Sequence, residues 1–220
     1  MTRSPNDEGH WDQEPYSRAT AYEFAYRALR KALLDGEFPE GSRLFQSEIA
    51  TRLEVSTTPV REALQKLTSE GLVDFVPGRG AIVHTLTLNE WSEIVSIRGL
   101  LEPFILRLAA ERIEASDLAE LRRIHRLMER ETNVANWVDL NRQFHCAYYA
   151  VADSPRLTAV LTGLQEATTT YVARGIRQRP DIRQEGGRDH AAIIEGLDRR
   201  DPDAIAEVVL RHVATILPLK

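Results

Sequence analysis

The run Leu53-Glu54-Val55-Ser56-Thr57-Thr58-Pro59-Val60-Arg61-Glu62-Ala63-Leu64, continued by Leu67 and stopped by Gly71, reads as a tight connection feeding a helix. Val60, Ala63, Leu64 and Leu67 share one helical face. Ser56 or Thr58 suits the cap, and Pro59 suits the first turn, where an N–H would be unpaired anyway. Upstream, Ile49, Ala50 and Leu53 predict a short helix over about 46–52. Phe24, Ala28, Leu29, Ala32 and Leu33 predict a longer one from Thr20, ended by Asp35-Gly36. After Gly71 the apolar period shortens. Leu72–Val76 and Ala81–Val83 flank the turn Pro77-Gly78-Arg79-Gly80 and predict a hairpin. Helices followed by a hairpin over residues 17–84 predict a winged helix-turn-helix, an arrangement that sets one helix into the DNA major groove.

From Leu88 onward the apolar residues keep helical spacing and no strand pattern appears. Helices are expected from Leu88 past Leu108, then from Asp117, and over about 134–152, 156–178, 184–199 and 202–216. Pro103 should kink or split the first of them. Asp201 as cap with Pro202 as first residue is a clean start for the last. Residues 85–220 are therefore expected to form an all-helical bundle domain, so the fold class is mainly α. Residues 1–16 are polar and carry Pro5, Gly9 and Pro15, which predicts a flexible tail.

Composition narrows the function. Of 220 residues, 43% are hydrophobic, which is ample for packed cores. The single cysteine, Cys146, forbids an internal disulfide and fits a reducing compartment. No apolar run approaches the roughly 20 residues of a spanning helix, and the start of the chain has no signal-like apolar segment, so a cytoplasmic protein with no membrane partner is expected. The net charge of -5 argues against a general polyanion binder. Residues 17–84 hold nine basic and nine acidic side chains, so any DNA contact must come from a local cluster.

The stretch from Leu53 to Leu64, with Leu67, Glu70-Gly71-Leu72-Val73 and Arg79-Gly80, resembles the DNA-binding domain of GntR-family transcription regulators. The helical region resembles the FCD class of C-terminal domains through Arg98 with Glu102, Asn141 to His145, Asp189-His190 and His212. Together the two resemblances span residues 20–216. The chain departs from the family pattern at Thr57, where Arg is usual, and at Asn141, where Asp is a frequent metal ligand. Many relatives also carry a charged residue near Ser47.

The resemblance implies a homodimer on double-stranded operator DNA. Arg61, one turn into the recognition helix, is expected to read a base edge, since guanidinium to guanine O6 and N7 is the commonest specific contact. Ser56, Thr57 and Thr58 at the helix start suit phosphate, or simple capping. Arg79 and Gly80 would form the wing tip, with Arg43 and Lys66 as further phosphate contacts. Two half-sites on a dimer would offset the neutral charge of the domain.

Asn141 and His145 are spaced i, i+4 on one face of an otherwise largely apolar segment, so that face points into the bundle. The resemblance adds His190 and His212 to them and implies a site for a divalent ion, Zn or Ni, since imidazoles suit both. The alternative for these residues is a metal-free pocket that binds an anion directly. Arg98 and Tyr148 are expected to meet a small carboxylate effector, or Arg98 to pair structurally with Glu102. Asp189 is expected on another face, and His10, His84 and His125 on the surface. Arg142, Arg174 and Arg177 suit either the pocket or solvent.

Three functions compete. The first is a transcription regulator, a repressor by the family's usual sign, relieved by a small organic acid. The second is a constitutive DNA-binding protein whose helical domain only dimerises. The third is a metal-dependent hydrolase. The third lacks a general base: Arg142, Gln143 and Phe144 separate Asn141 from His145.

Overall fold

The computed structural model describes residues 18–215. The tail expected over 1–16 lies outside the described residues. The winged domain begins with α1 (Arg18–Asp35), β1 (Arg43–Leu44), α2 (Gln46–Leu53) and α3 (Thr57–Ser69), and closes with β2 (Val73–Val76) and β3 (Gly80–Val83). The strands form one antiparallel sheet in the order β1-β3-β2, with Arg43 opposite Ile82 and Val76 opposite Gly80. β1 is a two-residue strand that no periodicity could reveal. The sheet and α1–α3 enclose Leu29, Leu33, Val60, Leu64, Leu67 and Val83, the inward faces that the apolar spacing marks, but Phe24, counted on the same face of α1, is exposed one turn before Ala28.

The helical domain follows as α4 (Leu88–Arg112), α5 (Ala115–Arg130), α6 (Val134–Val151), α7 (Pro155–Ala167), α8 (Thr169–Gln178), α9 (Ile182–Arg199) and α10 (Pro202–Thr215). Three expectations are corrected. Pro103 does not split α4, which runs through it. The residue at i−4, whose carbonyl the proline ring crowds, is Gly99, and α4 is packed against α6, α7 and α10, with Trp91 and Arg98 buried before the proline and Ile105, Leu106 and Ala109 after it. The helix expected over 156–178 breaks at Thr168. There the Thr168 hydroxyl bonds the Gln165 carbonyl at 3.0 Å and Thr169 that of Glu166 at 2.8 Å, competing with the backbone ladder. Finally, α5 starts two residues before Asp117, whose carboxylate caps it by accepting from the Glu114 N–H at 3.0 Å. Asp201 does cap α10, accepting from the Ala204 N–H at 3.1 Å.

The two domains are joined by buried charge as well as apolar contact. Leu34 of α1 belongs to the bundle core. Arg30, one helical turn earlier, is only 5% exposed. It bonds Asp139 of α6 and Glu166 of α7, the latter at 2.9 Å, and lies 3.9 Å from Glu70, the residue that ends α3. Glu70 also accepts from the Tyr26 hydroxyl at 2.8 Å, and Glu166 lies 3.2 Å from Arg142. Nearby, Trp91 stacks on Tyr171 at 4.9 Å between ring centres, and Arg174 covers that tyrosine while bonding Glu40 at 2.6 Å. Arg177 donates to the Leu34 carbonyl. Arg142, Arg174 and Arg177 thus serve the domain junction.

Candidate functional site

The recognition surface is built from α3 and the sheet. Glu54 closes α2 in the left-handed conformation, φ 56°, which makes the tight turn into Ser56. Ser56 holds the N-cap position of α3, but neither it nor Thr58 makes a side-chain cap bond, contrary to expectation. Ser56 and Thr57 are exposed and Thr58 half-buried, so the hydroxyls and first N–H groups at this helix start are left for another partner. Arg61 is exposed one turn on and forms no ion pair among the described residues. At the wing, Gly78 and Gly80 both adopt positive φ, 76° and 79°, and Arg79 between them is exposed. Arg43 stands beside Gly80, its Nε 3.9 Å from where a β-carbon would sit, and over the Phe45 ring at 4.7 Å. Lys66 departs from this group. It lies in the last turn of α3, 3.2 Å from Glu70, toward the domain junction.

The second cluster lies inside the bundle. α6, α9 and α10 bring His145, His190 and His212 together, with one ligand nitrogen of each within 4.8 Å of the others. All three are buried, and Asn141, one turn before His145, is buried too. His145 Nε2 faces His212 Nε2 at 3.2 Å. Tetrahedral zinc with Zn–N near 2.0–2.1 Å places its nitrogens about 3.3 Å apart, so this pair already has ligand spacing. Neither ring nitrogen of His190 has a hydrogen-bond partner. A buried imidazole without partners is costly unless something else completes it. Burial pushes the His145 pKa well down, helped by His212, Arg98 and His190. Burial does the same to His190, helped by His212 and His125. Neutral imidazoles are the form that ligates a metal.

Behind the histidines stand groups that hold them. His145 Nδ1 lies 2.5 Å from the Tyr148 hydroxyl, which is 3.2 Å from Glu102. Glu102, fully buried, also accepts from Tyr149 at 2.9 Å and from Arg98 Nε at 2.6 Å. Burial first, and then the Glu102 carboxylate, push the Tyr148 and Tyr149 hydroxyls well up, so both keep their protons. Arg98 and Tyr148 are therefore engaged with Glu102 in this structure, as the paired alternative for Arg98 anticipates.

Two other residues behave differently from expectation. Asp189 does not face away: its Oδ2 lies 3.5 Å from His212 Nδ1, while Oδ1 takes Arg211 at 2.7 Å. Burial works to raise the Asp189 pKa, and His212 and Arg211 outweigh it, so the net shift is down. Nor is His125 an unpartnered surface residue. Its Nε2 is 2.9 Å from the Gly187 carbonyl, and its ring stands edge-on to His190. A signal was present, since His125 follows Leu121 by four residues on a buried stripe. His84 is also paired, 2.9 Å from Asp74.

Comparison with known proteins decides what these two clusters belong to. Residues 21–83 match the gntR family of bacterial regulatory proteins, and residues 93–215 match the FCD domain. The chain belongs to the GntR family, in the branch that carries an FCD domain. The Nta operon transcriptional regulator of Aminobacter aminovorans is 29% identical over 180 residues, 80% of this chain and 83% of the relative. The HTH-type transcriptional repressor RspR of Escherichia coli is 26% identical over 196 residues, 87% and 85% of the two chains. The solved structure of E. coli McbR/YncC shares the fold, with a TM-score of 0.71 at 24% identity over 89% of this chain and 96% of that one. This GntR-family chain is a transcription regulator, and the family and these relatives are regulators rather than enzymes. Among the described residues no helix is long and apolar enough to cross a membrane.

Proposed function

We propose that this regulator is a cytoplasmic repressor that binds operator DNA as a homodimer and loses affinity for it when a small carboxylate enters the helical domain. On the DNA, Arg61 reads a base edge. Ser56, Thr57 and Thr58 hold phosphate at the start of α3, and Arg79, Gly80 and Arg43 place the wing on the backbone or minor groove. Lys66, bonded to Glu70, is left out of this interface. Thr57 stands where the family usually has Arg, so its base preference should differ from theirs.

One observation carries the ligand half of the proposal: three buried histidines from three helices converge with unpartnered nitrogens. A domain that only dimerised would gain nothing from burying such a set. The donor set fits a divalent ion, with His145, His190 and His212 as ligands and the Asn141 amide oxygen as a weaker fourth. We favour Zn or Ni. Bound there, the ion would supply a Lewis-acid anchor for a carboxylate. A cleft of about 770 Å³, lined by His125, Trp137, Gln184, Gly187 and Arg188 among others, lies on the side of the cluster where the His125 ring meets His190. Gly186 packs between Trp137 of that cleft and His212, with no side chain to fill the space. The effector shifts the regulator only if it binds the DNA-free arrangement more tightly.

The test is binding to a fluorescent duplex of the gene's own upstream intergenic DNA across salt concentrations. Salt-sensitive, sequence-dependent binding that Arg61→Ala abolishes supports the reading. Binding no better than to random DNA, or unaffected by Arg61→Ala, counts against it.

A further inference from the structure

We infer that Tyr148 and Glu102 are positioning residues that hold His145 in its Nδ1-protonated tautomer, so that Nε2 is the lone pair offered to the histidine cluster; this rests on the metal-site reading above. The available protons fix the pattern. Tyr148 has one, and three acceptors are in reach: His145 Nδ1 at 2.5 Å, Glu102 Oε2 at 3.2 Å, and the neighbouring Tyr149 hydroxyl, which spends its own proton on Glu102 Oε1. Glu102 accepts from Arg98 Nε at 2.6 Å, and the carboxylate partner of a guanidinium can only accept. Its other oxygen is taken by Tyr149 and Arg98, and with no solvent exposure it has no water to turn to. If the Tyr148 proton went to His145, Oε2 would face an oxygen lone pair and lose its donor. If instead His145 Nδ1–H donates to the Tyr148 oxygen and Tyr148 donates to Glu102, every group is satisfied. A charged acceptor is also the stronger one.

That assignment leaves His145 Nε2 bare, pointing at His212 Nε2 3.2 Å away. On the far side Asp189 Oδ2 stands 3.5 Å from His212 Nδ1, too far for a hydrogen bond in this structure; a proton on that nitrogen would bare His212 Nε2 as well. Two lone pairs at that distance repel, and a cation between the rings removes the repulsion. The carboxylate behind His145 thus sets which nitrogen that ring presents to the cluster, a role known to matter for metal affinity in general. Neither tyrosine nor Glu102 needs to touch the ion.

The test begins on the full-length protein freed of metal by chelator, with its histidines labelled with ¹⁵N. Long-range proton–nitrogen correlation spectra should show His145, assigned by its loss in His145→Gln, with a protonated Nδ1 and a bare Nε2. A protonated Nε2 overturns the inference, and this reading needs no bound ion. The second arm is competition of Zn²⁺ and Ni²⁺ against a coloured chelator. Tyr148→Phe should weaken binding about 10- to 100-fold. Tyr149→Phe removes a neighbouring donor to the same carboxylate but leaves the His145 bond, and should change affinity less than about threefold. Equal affinities for wild type and Tyr148→Phe overturn the inference. If the wild type bound neither ion, the metal reading would fall, and the tautomer spectrum would still decide the role of Tyr148 and Glu102.

Discussion

Two arginines are buried beside carboxylates, and they are held in opposite ways. Arg98 finds its partner one turn along the same helix, and Glu102 then gathers Tyr148 and Tyr149 within the bundle. Arg30 draws its partners from α3, α6 and α7, with Asp139 and Glu166 109 and 136 residues away. The first is a local pair at the heart of one domain. The second is a tie that exists only while two domains are docked. A buried charge that loses its partner is costly in either place. What differs is what comes apart: one loss loosens a core, the other frees a junction.

The contrast can be broken by substitution. Arg98→Met should act hardest, because it strands a fully buried Glu102 carboxylate. We expect a loss of about 3–5 kcal/mol in the helical domain by urea denaturation. A loss under about 1 kcal/mol would mean that the tyrosines alone satisfy the carboxylate. Next in size is the gain on adding the ion. At a hundredfold excess over its dissociation constant a ligand stabilises by about 2.7 kcal/mol, and the rise should appear in the melting of the helical domain and vanish in His190→Ala. Arg30→Met should be milder, about 1–2 kcal/mol, since Glu70 keeps Tyr26 and Lys66 and Glu166 keeps Arg142. Its signature is qualitative: the winged domain and the bundle should melt in two steps, and a single wild-type transition would contradict the junction role. At the bottom of the scale, Arg123→Ala breaks an exposed pair with Glu120 and should alter neither domain measurably by the same denaturation.

The same contrast explains what could be read from the chain. The winged domain was legible because its signals are local: Pro59 in a first turn, glycines at the wing, and a period that shortens after Gly71. Arg98 with Glu102 was legible as an i, i+4 pair, and the histidines through their spacing and family match. The Arg30 cluster was not, since nothing near Arg30 in the chain hints at Asp139 or Glu166. The place of Asp189 is not legible from the chain, because it adjoins His190 and points elsewhere on α9. It meets His212 only once α10 folds back along α9. The break between α7 and α8 is not legible either, because threonine hydroxyls bonding carbonyls three residues back leave no trace in an apolar pattern.

In this scheme the histidine cluster governs the DNA-binding half of the molecule. The most direct test is fluorescence anisotropy of the full-length protein on its own upstream duplex, titrated with a panel of small carboxylates, with and without chelator. At least one carboxylate should weaken DNA binding tenfold or more when the ion is present. That response should disappear with chelator and in His190→Ala, while DNA binding itself persists in both. DNA affinity indifferent to every carboxylate, or a response that His190→Ala retains in full, would contradict it.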